Sequence, residues 1–338
     1  MEVVTGVFYH AVGASSAALC YTPQKKVLGW SWQTYWLAQA LVCWLLLPLF
    51  VAWLTIPQLF TVLREAPSAA MWSTFWLGAA YGIGGTAFGM AIRYVGFSLT
   101  YALAVGISCV LGTLLPPLVR NELGILFRQT GAGWIMAGIA LGAVGIALCG
   151  LAGRFKEKDL AGNNDPQVFS LSKGLPLCFL AGILSAVYGF ALDQGQPIAA
   201  VAEKYGSGNF QGNVVYIFAN TGAFLTTAIY CLYLHIKEGT WNEYHTARPG
   251  LNFGMAILTG LLWYGQFLFY GLGHVRMGNY KFSSWAIHMI MLVLFSSIAG
   301  LLLKEWTAAR STTRWILALA LSILTLAVLI LTYGNYLG

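Results

Sequence analysis

Ten apolar stretches, each long enough to cross a lipid bilayer, follow one another along this chain of 338 residues. Hydrophobic residues make up 58% of the sequence and charged residues only 9%, whereas about a quarter of the residues in soluble domains are charged. A water-soluble fold of this length would need more charges to cover its surface. The sequence therefore predicts a multi-pass protein embedded in a lipid bilayer.

The spans are predicted to be helices because lipid offers no hydrogen-bond partners to backbone groups. A membrane β-barrel would instead require shorter segments of alternating hydrophobicity. The predicted spans cover residues 3–24, 33–55, 70–92, 96–119, 131–150, 174–195, 210–234, 252–273, 280–303 and 313–336. The predicted fold class is an all-α integral membrane protein of about ten transmembrane helices.

The formal net charge of +7 does not indicate a nucleic-acid partner, because the basic residues lie in the short connections between spans. Twelve of the 18 Lys and Arg residues lie in the odd-numbered connections, counted from the N-terminus. Cytoplasmic connections carry the excess of basic residues in membrane proteins. We therefore predict that the odd connections are cytoplasmic and that both termini face outward.

The longest polar connection, residues 154–173, contains a turn-forming group from Gly162 to Pro166. It divides the chain into an N-terminal five-helix half (residues 1–153), a cytoplasmic connector and a C-terminal five-helix half (residues 174–338). An odd number of spans per half predicts two inverted repeats, as in secondary transporters that alternate access around a site between the halves. Chance similarity is the alternative, since apolar sequences readily produce false internal symmetry.

Cysteines and glycines are interpreted as packing residues. The six cysteines lie within or at the edges of the spans, without the C-x-x-C spacing or neighbouring histidine typical of a metal site. We therefore predict small core residues and no metal. Glycines four positions apart permit close approach of neighbouring helices. The pairs are Gly78 with Gly82, Gly85 with Gly89, and Gly138 with Gly142.

One face of the eighth span is the strongest candidate for a ligand site. Four residues recur there at helical spacing: Trp263, Gln266, Tyr270 and His274. Aromatic rings stack on the apolar side of a pyranose, while amide and hydroxyl groups bond to its hydroxyls. Asn220, in the middle of the seventh span, is a second hydrogen-bonding candidate. The pattern predicts a sugar-binding cavity, with an aromatic packing face as the alternative.

Ionisable groups at membrane depth are costly and usually line a cavity. His10 in the first span and His288 in the ninth are each expected roughly 10–13 Å below the outer end of the span. They are the first candidates for proton coupling at one cavity, followed by Asp193 near the outer end of the sixth span. Trp285, three residues before His288, is a further substrate-binding candidate. The alternatives are histidines bonded to backbone and a solvated Asp193 carboxylate.

Short motifs are distributed over nearly the whole chain. They are Gly6-Val7-Phe8-Tyr9-His10, Pro23-Gln24-Lys25-Lys26, Trp30-Ser31-Trp32, Arg93-Tyr94-Val95-Gly96, Trp263-Tyr264-Gly265-Gln266-Phe267, Gly273-His274, Ser284-Trp285-Ala286-Ile287-His288-Met289 and Leu303-Lys304-Glu305-Trp306. In these motifs the chain resembles the L-rhamnose/proton symporters, ten-helix inverted-repeat carriers of the drug/metabolite transporter superfamily.

The resemblance implies secondary active import of a deoxyhexose, with L-rhamnose favoured, by proton symport across a bacterial inner membrane. It also implies a periplasmic N-terminus, the proton as coupling ion and no other cofactor. The chain differs from the family pattern at Gly85, Ala87 and Asp193, where the family has asparagine, at Gln196, where it has lysine, and at Lys281, where it has an acidic residue.

Two other classes of function stay as alternatives. A sugar facilitator, or a carrier of another monosaccharide without proton coupling, would use the same helices, and only flux against a gradient separates it from a symporter. A membrane-embedded enzyme is disfavoured, since the sequence has neither an H-E-x-x-H metal helix nor a G-x-S-x-G nucleophile elbow. The sequence does not predict the oligomeric state.

Overall fold

The computed structural model describes residues 2–95, 97–160, 170–246 and 248–338, and every regular element within these ranges is a helix. Ten of its helical segments are long and apolar enough to cross a membrane. They are Glu2–Lys26, Trp32–Thr55, Ser68–Ile92, Leu99–Val119, Ala132–Asp159, Ser172–Lys204, Gly208–Glu238, Pro249–His274, Ser283–Leu302 and Ser311–Leu337. The predicted all-α membrane fold is confirmed, and the fifth and sixth segments extend farther than predicted.

The α-helices within the described ranges are numbered in chain order. They are α1 (Glu2–Leu19), α2 (Trp32–Ala40), α3 (Leu47–Thr55), α4 (Leu59–Glu65), α5 (Ser68–Val95), α6 (Phe97–Val119), α7 (Leu123–Leu126), α8 (Ala132–Leu160), α9 (Leu171–Gln194), α10 (Gln196–Lys204), α11 (Asn213–Glu238), α12 (Pro249–His274), α13 (Ser283–Leu302) and α14 (Ser311–Leu337). A π-helical turn, Leu41–Leu46, joins α2 to α3. Short 3₁₀ turns occupy Pro23–Lys26, Gly208–Phe210, Thr240–His245 and Gly278–Tyr280.

The connector predicted over residues 154–173 begins as helix, because α8 continues through Leu160. Its turn-forming group lies in residues 161–169, outside the described residues. The next helix, α9, begins at Leu171. The division into two halves at this connector, and the inverted repeats, stay predictions.

Contacts among the helices group the chain into two compact units. Unit 1 comprises Met1–Ala18, Gly84–Gly189 and Gly273–Gly338, and unit 2 comprises Leu19–Ile83 and Phe190–Leu272. Each unit therefore draws segments from both sides of the predicted connector. Helices α5, α9 and α12 each contribute one part to either unit.

In unit 1, α8 packs along α14 and also against α6 and α13. Small residues on α8 permit this approach, since a methyl group at Gly138 would lie 2.6 Å from Leu331 Cγ. At one end of the pair, the Asp159 carboxylate of α8 caps the first turn of α14. It accepts hydrogen bonds from the Arg310 backbone N–H (3.0 Å) and the Thr313 hydroxyl (2.7 Å). This cap satisfies a free N–H group at the start of α14 and places negative charge at the positive end of its dipole.

In unit 2, α11 packs against α2, the π turn and α3. A methyl group at Gly78 on α5 would clash with the Ala219 carbonyl of α11, so the predicted close approach at this glycine is present. The Glu243 carboxylate caps the start of α2. It accepts hydrogen bonds from the Ser31 N–H and hydroxyl, both at 2.7 Å, and from the Thr34 hydroxyl at 2.5 Å. Each unit thus has a helix capped by a carboxylate from a distant part of the chain.

The cysteines match their predicted role. All six are free and buried, and they lie at Cys20, Cys43, Cys109, Cys149, Cys178 and Cys231. Burial in apolar surroundings suits a thiol, which packs as a small hydrophobic side chain. Within the described residues, no group of three or more His, Cys, Asp or Glu side chains is arranged to hold a metal ion.

Candidate functional site

Unit 1 brings His10 and His288 together, as the sequence predicted. Their ring centroids are 6.0 Å apart and the rings cross at 69°. Both side chains are buried, His10 at 0% and His288 at 2% exposure. His274, at the end of α12, lies close enough to His10 for electrostatic interaction. Unit 1 therefore contains two buried imidazoles, from α1 and α13, and a half-buried third imidazole from α12, called the histidine cluster below.

Gly6 and Gly273 allow α1 and α12 to approach each other closely beside the His10 ring. A methyl group at Gly273 would lie 2.8 Å from the Gly6 carbonyl oxygen and 2.9 Å from His10 Nε2. Both distances are shorter than normal van der Waals contacts, so a side chain at Gly273 would displace α1 or the imidazole. Glycine at this position allows the His10 ring to pack directly against the backbone of α12.

Trp285, a predicted substrate-binding residue, lies in unit 1 and is 5% exposed. Its indole N–H donates to the Ser108 carbonyl oxygen at 3.0 Å and is 3.3 Å from the Ser108 hydroxyl. Its ring packs against Gly112 and Gly189, where added methyl groups would overlap or crowd the indole. These contacts fix α13 against α6 and α9. A role for Trp285 in substrate binding stays a prediction.

Unit 2 contains a buried group of aromatic rings around Trp263. The centroids of Tyr21, Trp36 and Trp44 lie 5.3, 5.6 and 5.4 Å from Trp263, each at an edge-to-face angle. Trp263 itself is 5% exposed. Edge-to-face pairs at these distances are favourable and hold the rings in defined orientations. We refer to Tyr21, Trp36, Trp44 and Trp263 as the aromatic cluster.

The other predicted residues of the eighth span share the buried face of α12 with Trp263. Gln266 is 8% exposed. Tyr270 is 7% exposed and lies within electrostatic range of Asp193. Asp193 is the penultimate residue of α9, half-buried beside the break between α9 and α10. Asn220 is fully buried on α11.

The second span also contributes buried side chains next to Trp263, which the sequence pattern did not predict. Trp36, Gln39 and Trp44 are fully buried, with exposed fractions of 2%, 0% and 0%. The Trp36 and Trp44 indoles contact Trp263, although residues eight apart differ by about 80° around a regular α-helix. Pro48 was the available signal, since a proline disturbs the preceding helical turn.

Ten helical segments are long and apolar enough to cross a membrane, and one unit carries neighbouring imidazoles while the other carries an aromatic cluster, an arrangement typical of a multi-pass membrane transport protein. Comparison with known proteins identifies the family: residues 1–336 match the family model described as L-rhamnose-proton symport protein (RhaT). The chain belongs to this family.

Curated relatives agree over almost the full chain. The chain is 34% identical over 339 residues to the L-rhamnose-proton symporter of Cronobacter sakazakii, with 98% of each protein covered. It is 33% identical over 343 residues to the L-rhamnose-proton symporters of Yersinia pestis and Yersinia pseudotuberculosis, again with 98% coverage. The predicted family resemblance is confirmed, and membership of a transporter family decides against the membrane-enzyme alternative.

Proposed function

We propose that this protein imports L-rhamnose together with protons by alternating access. The family and the names of the curated relatives support the substrate and the coupling ion. The single observation that carries the proposal is the pairing of a buried imidazole cluster with a separate buried aromatic cluster in the same chain. Proton coupling requires a titrating group, and sugar binding requires rings and hydrogen bonds.

For the sugar, we propose Trp263, Gln266 and Tyr270 as the binding face, with Asn220 and Trp285 as further candidates. The Gln266 amide is buried and offers both donors and an acceptor to the hydroxyl groups of a sugar. The ring of Trp263 supplies apolar surface for the carbon face of a pyranose. A 6-deoxyhexose has a methyl group in place of the hydroxymethyl group of a hexose, and this apolar group packs favourably against aromatic rings.

For the proton, we propose His10 and His288 ahead of Asp193. Imidazole is the side chain whose ordinary pKa lies nearest neutral pH, so it exchanges protons at the outer surface of a bacterium. Two imidazoles whose ring centroids lie 6.0 Å apart repel each other when both are charged. The pair therefore favours carrying one proton at a time, which suits a coupling site.

For the location, we propose the bacterial inner membrane with both termini in the periplasm, supported by the twofold excess of basic residues in the odd connections. Single-cysteine labelling tests this orientation with little background, because all six native cysteines are buried. A cysteine at Asn242, exposed between α11 and α12, should label only after permeabilisation. A cysteine at Gln129, exposed between α7 and α8, should label in intact cells. The reverse pattern would overturn the orientation.

Membership of the drug/metabolite transporter superfamily also stays a prediction.

The transport activity is tested by uptake of a labelled monosaccharide panel into proteoliposomes, with and without an imposed proton gradient. We expect L-rhamnose to accumulate above its external concentration only when the gradient is present. Equilibration of the sugar without accumulation would identify a facilitator instead. Preferential uptake of another monosaccharide would correct the substrate while leaving the transport class intact.

A further inference from the structure

The second span contains a π-helical turn whose cause is visible in the sequence. Residues Leu41–Leu46 form this turn, and the N–H of Leu47 bonds to the Val42 carbonyl, five residues back. Pro48 follows in the first turn of α3. A proline has no N–H to donate to the carbonyl four residues earlier and its ring collides with that carbonyl. The wider π turn removes this collision, and such turns are frequent at functional sites.

The π turn changes which side chains share a face. In a regular α-helix, residues eight apart differ by about 80° around the axis. A π turn inserts one extra residue, so Trp36 and Trp44 take the relation of residues seven apart, within about 20° of each other. Both indoles contact Trp263, with centroid distances of 5.6 and 5.4 Å. Gln39, three residues after Trp36, lies about 60° from it around the same helix.

These three side chains bury hydrogen-bond donors. The Trp36 and Trp44 indole N–H groups and the Gln39 amide nitrogen have no acceptor among the described residues. A buried donor without an acceptor is costly, and most native proteins avoid it. An indole N–H can only donate, so the missing partner must supply oxygen lone pairs. Hydroxyl and ring oxygens of a sugar supply them.

We propose that Trp36, Gln39 and Trp44 form a donor set of the sugar site, aimed by the π turn at a ligand held against Trp263. The inference rests on the proposed function and adds the second span to the residues that select the substrate. The donors recognise the positions of individual hydroxyl groups, whereas the rings recognise the apolar face. The second span thereby contributes specificity for the pattern of hydroxyls around the ring.

The experiment removes two of the three donors, one at a time, and keeps an apolar side chain in each place. Gln39→Met and Trp44→Phe are compared with Gln129→Met and Trp76→Phe, which change the same residue types at exposed positions. L-rhamnose affinity is measured by calorimetry on the purified protein. The thermal unfolding midpoint is recorded without sugar. We expect Gln39→Met to weaken binding roughly 5-fold to 150-fold, the equivalent of one buried hydrogen bond, with both controls unchanged.

The sugar-free protein separates a binding role from a structural one. Because the donor is unpaired without ligand, Gln39→Met should leave the unfolding midpoint equal or raise it. Single-deoxy analogues of the sugar then locate the contact: the analogue lacking the hydroxyl that meets Gln39 should lose no further affinity in the variant.

Three results would overturn the assignment. One is unchanged affinity in both Gln39→Met and Trp44→Phe while the wild type binds the sugar. Another is weaker binding accompanied by a matching drop in the sugar-free midpoint, which would make the residues structural. A wild-type protein that binds no L-rhamnose would instead refute the proposed function, and the donor assignment with it.

Discussion

The two units of this protein differ in the kind of polar group that they bury. Unit 1 buries the imidazoles of His10 and His288, the side-chain type whose ordinary pKa lies nearest neutral pH. Unit 2 buries the aromatic cluster together with the uncharged donors Gln39 and Gln266. The groups suited to a proton and the groups suited to a sugar are therefore carried by different units. Two candidates do not follow this division: Asp193, proposed for coupling, lies in unit 2, and Trp285, proposed for sugar binding, lies in unit 1.

The strongest test of the division is histidine replacement. We expect His10→Gln and His288→Gln to abolish sugar accumulation driven by a proton gradient, because neither variant retains the imidazole pair. Counterflow should persist, since exchange of sugar for sugar need not release the proton. His245→Gln, at an exposed position, is the matched control and should keep both activities.

The opposite result in the histidine variants would also locate the coupling group. If both histidine variants still accumulate sugar and only Asp193→Asn fails, the coupling group belongs to unit 2. The histidine cluster would then be structural, and the division of roles between the units would be wrong.

The next largest effect is expected from Gln266 in unit 2. Gln266→Ala should weaken sugar binding roughly 5-fold to 150-fold, because a hydrogen bond to a buried ligand contributes about 1–3 kcal/mol. Calorimetric titration of the purified variant measures this, with Gln129→Ala as the exposed control. Binding at wild-type affinity would remove Gln266 from the site.

A smaller effect is expected at the glycine that packs against His10. Gly273→Ala places a methyl group 2.9 Å from the imidazole Nε2, so the ring or α1 must shift by a few tenths of an ångström. We expect about a tenfold loss of accumulation with little change in sugar affinity, since misplacement of a reacting group is costly. Gly250→Ala on the same helix is the control, because no atom lies within 4 Å of its added methyl group. Equal behaviour of the two variants would contradict the role of Gly273.

The smallest effect concerns the cap of α2, the helix that carries Trp36 and Gln39. Burial raises the pKa of the Glu243 carboxyl, but hydrogen bonds from the Thr34 hydroxyl and from the Ser31 N–H and hydroxyl outweigh burial, so the pKa falls below its ordinary value of 4.5. Because the pKa of Glu243 is lower in the folded state than in the unfolded state, its charge stabilises the fold at every pH above the unfolded-state pKa. This stabilisation is lost as the pH falls through the folded-state pKa. Thr34→Val should lower the free energy of unfolding by about 1 kcal/mol at pH 7.

The same cap gives a pH dependence. The difference in unfolding midpoint between the wild type and Glu243→Gln should be largest at neutral pH and should shrink as the pH falls below about 4.5, the ordinary pKa, and through the lower folded-state pKa of Glu243. A difference that is constant from pH 7 to pH 3.5 would show that the charge of Glu243 does not stabilise the cap.

The sequence predicted the spans because hydropathy is a local property and a bilayer requires long apolar helices. It also predicted matching depths for His10 and His288, which would allow both to border one cavity, and the structure places their ring centroids 6.0 Å apart. The distant caps could not be predicted, because Asp159 and Glu243 each bond to residues more than 150 positions away. No sequence spacing encodes such a contact.

The donor set was missed for a different reason. Periodicity arguments assume 3.6 residues per turn, and the π turn at Leu41–Leu46 breaks that assumption in the helix that carries Trp36 and Trp44. Pro48 indicates a disturbed turn but does not specify its type. Likewise, the sequence placed Trp285 beside His288, but not its hydrogen bond to Ser108, which comes from another helix.

The cap that Asp159 provides for α14 also bears on how the chain is assembled. Asp159 leaves the ribosome 151 residues before Arg310, the residue whose N–H it accepts. At about 5–20 residues per second, the carboxylate waits roughly 8–30 s for its partner. During that interval α8 has no final packing partner along the face that later contacts α14. Unit 1 is therefore completed only once α14 has been synthesised, and truncation before Ser311 should leave α8 as a substrate for membrane quality control.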